Sequence, residues 1–240
     1  MGLAEELADE VARIFRDSWS MRDGRVVPDT DKLVFKNEGV KLDAAVLYAD
    51  LASSTLLVDS QSSTLAAEVY KAYLYCAAKI VRNVDGEITA YDGDRIMAVF
   101  VGLWRHEHAV LATLRLNRVI GEIINPAFSR VYTTISYRLR HSVGIDSSPL
   151  MAVKTGIRDA NDLVWIGRAA NYAAKLSAQR SSSNSIYITK VVYDNLGETF
   201  RQFEGQKVWQ ETIWNEITPM TICRSDWSCG LAARGESGRR

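Results

Sequence analysis

Net charge of either sign is absent from this 240-residue sequence: 29 lysines and arginines stand against 29 aspartates and glutamates. With no global positive field, the chain has no broad surface to hold a nucleic-acid backbone or an anionic membrane, and any phosphate chemistry must be local. Long apolar runs are missing too. A bilayer-crossing helix needs about 20 apolar residues, whereas the longest run here, Ile96 to Trp104, is about half that and is broken by Gly102. Cysteine is scarce: Cys76, Cys223 and Cys229 are odd in number and have no metal-type spacing, which argues against a disulfide framework or a zinc knuckle. The opening residues, Met1-Gly2-Leu3-Ala4-Glu5-Glu6, are acidic where a secretory signal is basic, and Glu6 stands where a myristoylation motif wants Ser or Thr. The expectation is a cytoplasmic protein with reduced thiols and neither membrane nor nucleic-acid partner. No Walker-type loop, nucleophile elbow, dinucleotide fingerprint or fixed-period repeat is present.

What is present is an ordinary globular mixture, 47% hydrophobic and 24% charged, at a length that suits one domain with extensions. Residues 1–40 read as an N-terminal extension with a short amphipathic stretch (Leu3, Leu7, Val11, Ile14), 41–225 as the folded domain, and the Gly/Ser/Arg-rich 226–240 as a disordered tail. Leu42 to Leu51 reads as a buried strand ending near Asp50. Leu65, Val69, Ala72, Tyr73, Cys76 and Ile80 mark a helix face that stops at Asp85-Gly86. Residues 87–101 read as a hairpin turning at Asp92-Gly93-Asp94, and 106–124 as a helix ending before Pro126. Alternation from Ile135 to Val143 predicts a strand, with Met151 to Thr155 as its partner. A helix follows Gly167, and strands follow at 185–189, 208–214 and 220–224. The order predicts an α+β domain with a largely antiparallel sheet and helices on its face.

Asp50 at the end of an apolar strand and Asp94 at a hairpin tip are candidate carboxylates; an Asp in either place is also an ordinary turn former, and spacing alone leaves both readings open. After Asp50 come Leu51-Ala52-Ser53-Ser54-Thr55, small residues opening toward a helix, whose backbone N–H groups suit a polyphosphate. Two carboxylates beside such a loop suit a two-metal phosphoryl site.

Three segments together resemble the motifs of class III nucleotide cyclases, in order and at compatible separations over residues 42–225. They are Tyr48-Ala49-Asp50-Leu51-Ala52-Ser53-Ser54-Thr55; Gly86 followed by Gly93-Asp94-Arg95-Ile96-Met97-Ala98-Val99-Phe100; and Gly167-Arg168-Ala169-Ala170-Asn171-Tyr172-Ala173-Ala174-Lys175-Leu176. The resemblance implies a ferredoxin-like catalytic domain that forms a head-to-tail homodimer with active sites at the interface. It further implies that Asp50, Asp94 and the Leu51 carbonyl hold two Mg²⁺ or Mn²⁺ ions while the backbone of Ala52, Ser53, Ser54 and Thr55 cradles the β- and γ-phosphates of a nucleoside triphosphate. From the second chain, Asn171 would orient the ribose and Lys175 would neutralise charge on the α-phosphate; the pair is four residues apart, on one helix face.

The sequence departs from the family in several places. Position 175 is usually Arg, and Lys lacks its bidentate fork. The late phosphate-binding Lys expected near Trp214-Asn215 is missing, with Lys207 the nearest substitute. Arg168 stands where the family has a small or acidic residue, suited to a phosphate or to an acid across the dimer. Purine-reading positions hold Ala90 and Val164, while Tyr48, Asp92 and Trp165 occupy other places around the base, with Trp165 reading equally as core packing. This wording is most similar to bacterial pyrimidine cyclases of antiphage (Pycsar) signalling, implying cyclic UMP from UTP, less so cyclic CMP from CTP, and a cyclic-nucleotide-responsive effector. Two other readings are an adenylate cyclase with an altered base pocket and a degenerate cyclase-like sensor or dimerisation module; the latter has no use for two metal carboxylates. His106-Glu107-His108 reads as surface, because histidines at i and i+2 share no helix face, and His141 as a satisfied core residue.

Overall fold

The structure is a computed structural model in which residues 2–179, 185–203 and 205–231 are described. Its centre is a pair of long antiparallel strands, β2 (Glu38–Leu51) and β5 (His141–Ile157), in register from Val40↔Ala152 to Leu51↔His141. β2 reads as a nearly continuous apolar run because it is covered on both faces. Its even residues Val40, Leu42, Ala44 and Val46 join one core cluster, and its odd residues Ala45, Leu47, Ala49 and Leu51 join another.

Each long strand changes neighbours along its length. The C-terminal half of β2 pairs with β4 (Arg95–Val101), which forms a hairpin with β3 (Glu87–Asp92); its N-terminal end pairs in parallel with β1 (Ser20–Asp23). β5 pairs in parallel with β7 (Ile186–Thr189) at Val143–Ile145, and from Met151 onward with β6 (Ala160–Ile166). The antiparallel pair β10 (Gln210–Trp214) and β11 (Met220–Ser225) completes the sheet, in the order β10-β11-β7-β5-β2-β4-β3. The two opposite edges are therefore the β10–β11 pair and the β3–β4 hairpin.

On the odd face lie α3 (Ser63–Asn83), capped where Ser62 Oγ accepts from the Leu65 N–H at 3.3 Å, and α4 (Arg105–Val119). The residues α3 buries, among them Leu65, Val69, Tyr73, Ala77 and Ile80, fall at steps of three and four. On the even face, α6 (Arg168–Ser177) buries Ala169, Ala170 and Ala173. Gly144 of β5 lets α6 sit directly on the strand: a Cβ there would come 2.1 Å from the Ala173 carbonyl oxygen and 2.5 Å from the Ser177 nitrogen.

Four expectations change. Residues 135–143 and 151–155 are not partners: β5 is one continuous strand beginning at His141, and its partner on that side is β6. Ahead of it Ile135, Tyr137 and Leu139 do pack inward, but the Asn125 side chain takes the backbone of Leu139, accepting its N–H at 2.8 Å and donating to its C=O at 3.0 Å, so no ladder forms. The helix over 106–124 does not end before Pro126; a π-helical turn (Ile120–Ile124) leads into α5 (Asn125–Val131), with Pro126 in the first turn, where a missing N–H costs nothing. The extension is not wholly outside the domain, because β1 joins the sheet and Leu33 is buried in the even-face core. Residues 226–231, expected within the disordered tail, are tied to α4: the Cys229 N–H donates to the Leu114 carbonyl at 3.2 Å, and Asn117 Nδ2 to the Trp227 carbonyl at 2.8 Å. The rest of that tail, 232–240, lies outside the described residues.

Candidate active site

Directly paired residues of antiparallel strands share a face, so strand register lines up two rows across β2, β4 and β3. The first is Tyr48–Met97–Ala90 and the second Asp50–Arg95–Asp92. Asp94 lies just beyond the second row, in the turn, where Gly93 takes the left-handed conformation (φ 60°) that glycine accepts without strain. Asp50 is buried and lies 3.6 Å from Arg95 Nη2. Asp94 differs: its Oδ2 is shut off from solvent and meets no hydrogen-bond donor.

A buried carboxylate oxygen without a donor is costly unless a cation reaches it. Together with Asp50 it supplies hard oxygen ligands suited to Mg²⁺ or Mn²⁺. Among the described residues no cluster of three or more His, Cys, Asp or Glu gathers, so a cation here takes its remaining ligands from a backbone carbonyl such as Leu51, from water and from phosphate, as Mg²⁺ usually does. The residues fit such an ion.

Beyond Leu51 the chain turns sharply. The Ala52 N–H donates to the Arg140 carbonyl at 2.9 Å, Ser53 adopts φ 61°, ψ 34°, and α2 (Ser54–Ser60) begins, its first N–H groups lacking intrahelical partners. A cavity of about 670 Å³ opens beside this loop, lined by residues 52–55, by Arg138 and Arg140 leading into β5, and by Asn117 and Gln179. The two arginines were not singled out in the sequence; their i, i+2 spacing ahead of a strand was the available signal. Two tyrosines were also missed. Burial raises the Tyr70 phenol pKa, the Asp94 and Asp50 carboxylates raise it further, and a hydrogen bond with Ser54 opposes them. Tyr137, raised by burial and then by Tyr70 and Asp94, has a buried hydroxyl without a partner. Both phenols therefore stay protonated beside the carboxylates.

Of the expected base-contacting residues, Tyr48 and Ala90 pack half-buried against the even-face core, and Asp92 is exposed. Burial is the main cause of the raised Tyr48 pKa; Arg95 opposes it and Asp92 adds to it. Val164 and Trp165 point to opposite faces of β6. Val164 is 41% exposed, whereas the indole of Trp165 is buried in the even-face core, so it is a packing residue and not a wall of an open pocket.

Asn171 and Lys175 are exposed on α6, and Lys175 Nζ lies 3.4 Å from Glu216 in the β10–β11 turn, where Gln179 Nε2 also donates at 2.9 Å. That turn and the β3–β4 turn bearing Asp94 are at opposite edges of the sheet, roughly 20 Å apart on strand spacing alone. Arg168 meets an acid of its own chain: its Nε and Nη2 hold both oxygens of the fully buried Asp146 at 2.9 and 3.1 Å, and it lies 5.3 Å from the Tyr172 ring centroid. Lys207 is exposed in β9 (Gln206–Lys207), which pairs with β8 (Gln202–Phe203) apart from the main sheet.

His106 and Glu107 are buried, not surface residues, and His106 Nε2 bonds to Ser147 Oγ at 2.9 Å; α4 sinks its first turn against the sheet. His141 is a satisfied core residue. Its Nδ1 faces Tyr73 Oη at 3.3 Å and its Nε2 bonds to Asn117, while burial pushes its pKa down to about 3 and keeps it neutral.

No protein-family model matches the sequence. A guanylyl cyclase, Cya2, superposes with a TM-score of 0.67 at 16% identity, covering 80% of this chain and 96% of its own. The adenylyl cyclase CyaB from P. aeruginosa gives 0.65 at 19%, covering 84% and 100%. These fix the class III cyclase fold. In sequence, the chain is 43% identical over 228 residues to a uridylate cyclase of Xanthomonas perforans, covering 95% of this chain and 98% of that one. It is 41% identical over 219 residues to one of Burkholderia cepacia, covering 90% and 94%. With the three motif segments placed on a class III cyclase fold and this identity running through nearly the whole chain, the protein belongs to the uridylate cyclase family of nucleotidyl cyclases.

Proposed function

We propose that the protein converts UTP into 3′,5′-cyclic UMP and pyrophosphate at sites shared between two copies of the chain. The observation that carries the chemistry is the buried Asp94 Oδ2, which meets no donor, in the turn just beyond the Asp50–Arg95–Asp92 row. In the reaction the ribose O3′ bonds to the α-phosphorus, the bond from that phosphorus to the bridging oxygen of the β-phosphate breaks, and the hydroxyl proton leaves to solvent. Asp50, Asp94 and the Leu51 carbonyl would hold two divalent cations, which when bound would supply Lewis acidity toward the 3′-hydroxyl and the leaving pyrophosphate.

The chain's own groups do the rest. Backbone N–H groups of Ala52 to Thr55 bind the β- and γ-phosphates, with Arg138 and Arg140 adding positive charge along the same cavity. Asn171 of the partner subunit orients the ribose, and Lys175 of the partner subunit, released from Glu216, meets charge on the α-phosphate. The half-buried Tyr48 and Ala90 flank Met97 in one row that would face a pyrimidine ring, and the alanine and valine at positions 90 and 164 offer a purine edge no side-chain hydrogen-bonding partner. An unpaired amide edge costs about 1–3 kcal/mol, or roughly 5- to 150-fold in rate. CTP ranks second: the resemblance to uridylate cyclases favours UTP, while the exposed Asp92 either accepts from a cytosine amine or faces solvent. Resemblance to the antiphage cyclases supports a messenger role in antiviral defence, read by a cyclic-nucleotide-responsive effector in the cytoplasm.

Incubating the purified protein with Mn²⁺ and UTP, CTP, ATP or GTP separately tests the reading. UTP should turn over fastest, with ATP and GTP at least 5-fold slower. ATP as best substrate would overturn the pyrimidine assignment, and nucleotide binding without turnover would favour the sensor reading.

A further inference from the structure

The helix α6 begins with a residue that its own position disfavours. A cation in the first turn opposes the helix dipole, and Gly167 gives the helix no side-chain cap, yet Arg168 stands first. The missing partners come from β5. The fully buried Asp146 takes Arg168 Nε and Nη2 at 2.9 and 3.1 Å, and Thr189 Oγ1 donates to the same carboxylate at 2.5 Å. Arg168 Nη2 also donates to the Ser147 carbonyl at 2.9 Å, and Ser148 Oγ caps the helix by accepting from the Ala169 N–H at 3.0 Å. Consecutive residues of β5 thus hold the start of α6, while Gly144 seats its far end beneath Ala173 and Ser177. A guanidinium bonded at both prongs of its fork fixes direction as well as distance.

We propose that Asp146 and Arg168 are positioning residues, which together orient α6 so that its exposed Asn171 and Lys175 reach the nucleotide held by the second chain. The inference rests on the shared site proposed above. Arg168, Asn171 and Lys175 follow one another at steps of three and four, so they lie along one side of the helix, and a rotation or slide at Arg168 carries both site residues with it. The guanidinium extends the link toward Lys175. It lies 5.3 Å from the Tyr172 ring centroid, and that ring meets Trp214 of β10 edge-on at 5.5 Å, in the strand pair whose turn sets Glu216 against Lys175. Apolar side chains of similar volume often join two elements with no loss of stability, so what this ion pair adds over packing is direction. Bound to Asp146, Arg168 acts through α6 and not on the substrate.

Steady-state kinetics and mixed dimers of the full chain test it, with Arg168→Lys and Asp146→Asn. Each variant is close in size to the wild type and leaves a hydrogen bond in place while breaking the fork, so both should keep the wild-type circular dichroism, and either one suffices for the kinetics. Lys175 meets charge that grows in the transition state, whereas the metals and the 52–55 loop bind the triphosphate in the ground state. With Mn²⁺ and the triphosphate that the wild type turns over fastest, kcat should therefore fall by roughly 5-fold or more while KM stays within about 2-fold. The defect should also belong to one side of the site. The Asp50 half of an Arg168→Lys chain is native, so mixing it with Asp50→Asn should raise turnover about 3-fold above the mean of the two alone for a roughly 5-fold defect, whereas mixing it with Lys175→Ala, damaged in the same half, should give only the mean. A mere loss of folded chain leaves both mixtures at the mean. Unchanged kcat in the folded variants, a change in KM alone, a gain in the Lys175→Ala mixture, or no gain in the Asp50→Asn mixture while Asp50→Asn and Lys175→Ala do complement each other, overturns the proposal. Failure of that last pair after demonstrated subunit exchange overturns the shared site itself, and the proposal with it.

Discussion

Asp94 and Asp50 both act on the Tyr70 phenol but differ in their electrostatic surroundings. Asp50 has the Arg95 guanidinium at 3.6 Å as a standing counter-charge, while Asp94 Oδ2 is sealed from water with nothing to bond. Replacing Asp94 with Asn removes a buried charge whose outer oxygen is unpaired, so the metal-free protein should lose no stability. What should disappear is the response to metal. Mn²⁺ at 100 times its dissociation constant stabilises a folded protein by about 2.7 kcal/mol, and differential scanning fluorimetry should show that rise for wild type and not for Asp94→Asn, together with loss of cyclisation. A Mn²⁺ shift retained by Asp94→Asn would remove the carboxylate from the ligand set. Both aspartates were legible in the sequence because each lies inside a short contiguous motif. Arg95 as the Asp50 counter-ion, and Tyr70 and Tyr137 as their neighbours, were not, since these contacts join residues from separate elements and no local pattern marks them.

At the scale of elements, the decisive contact is the seat of α6 on β5. The helix rests on Gly144 so closely that a methyl group there would strike the backbone of Ala173 and Ser177. Backbone cannot swing aside as a flexible side chain does, so Gly144→Ala should force the two elements apart. The expected cost is at least about 1–3 kcal/mol, read by urea unfolding. Because α6 carries Asn171 and Lys175, turnover should fall further than the loss of folded protein explains. Wild-type stability and turnover in this variant would show that α6 does not depend on that seat. The Arg168–Asp146 pair ties the start of α6 to the same strand. The sequence offered this arginine a phosphate or an acid across the dimer, and the acid it meets within its own chain is Asp146. Elements with a long apolar period, β2 and α3 above all, were legible. The segment before β5 was not: its alternation is real, but an asparagine amide 14 residues away claims the backbone that a ladder needed.

For the whole molecule, the sheet order puts the β3–β4 turn with Asp94 at one edge and the β10–β11 turn, whose Glu216 holds Lys175, at the other. The proposed site joins Asp50 and Asp94 of one chain to Lys175 of a second. Mixing inactive Asp50→Asn with inactive Lys175→Ala should therefore restore turnover, because each mixed dimer holds one site with all native groups; random exchange of equal amounts predicts about a quarter of wild-type activity per chain on the symmetry of a two-fold dimer. Demonstrated subunit exchange with no recovered turnover would count against the shared site. Among the described residues no helix is long and apolar enough to cross a membrane.

By itself the sequence determined the chemistry on offer: two aspartates, a small-residue loop, an Asn and a Lys four apart, and the absence of purine-reading side chains at positions 90 and 164. Such features are short-range, set by residue type and by the periods of strand and helix, which any contiguous stretch displays. Tertiary structure alone decided that Trp165 packs in the core while Val164 faces out, that Asp94 Oδ2 is left without a donor while Asp50 has Arg95 beside it, that Arg168 pairs with Asp146, and that the N-terminal helix α1 (Leu3–Arg16) stands with its apolar stripe bare. Each of these depends on which distant backbone or side chain arrives alongside, and that is fixed by strand order and packing, not by local pattern.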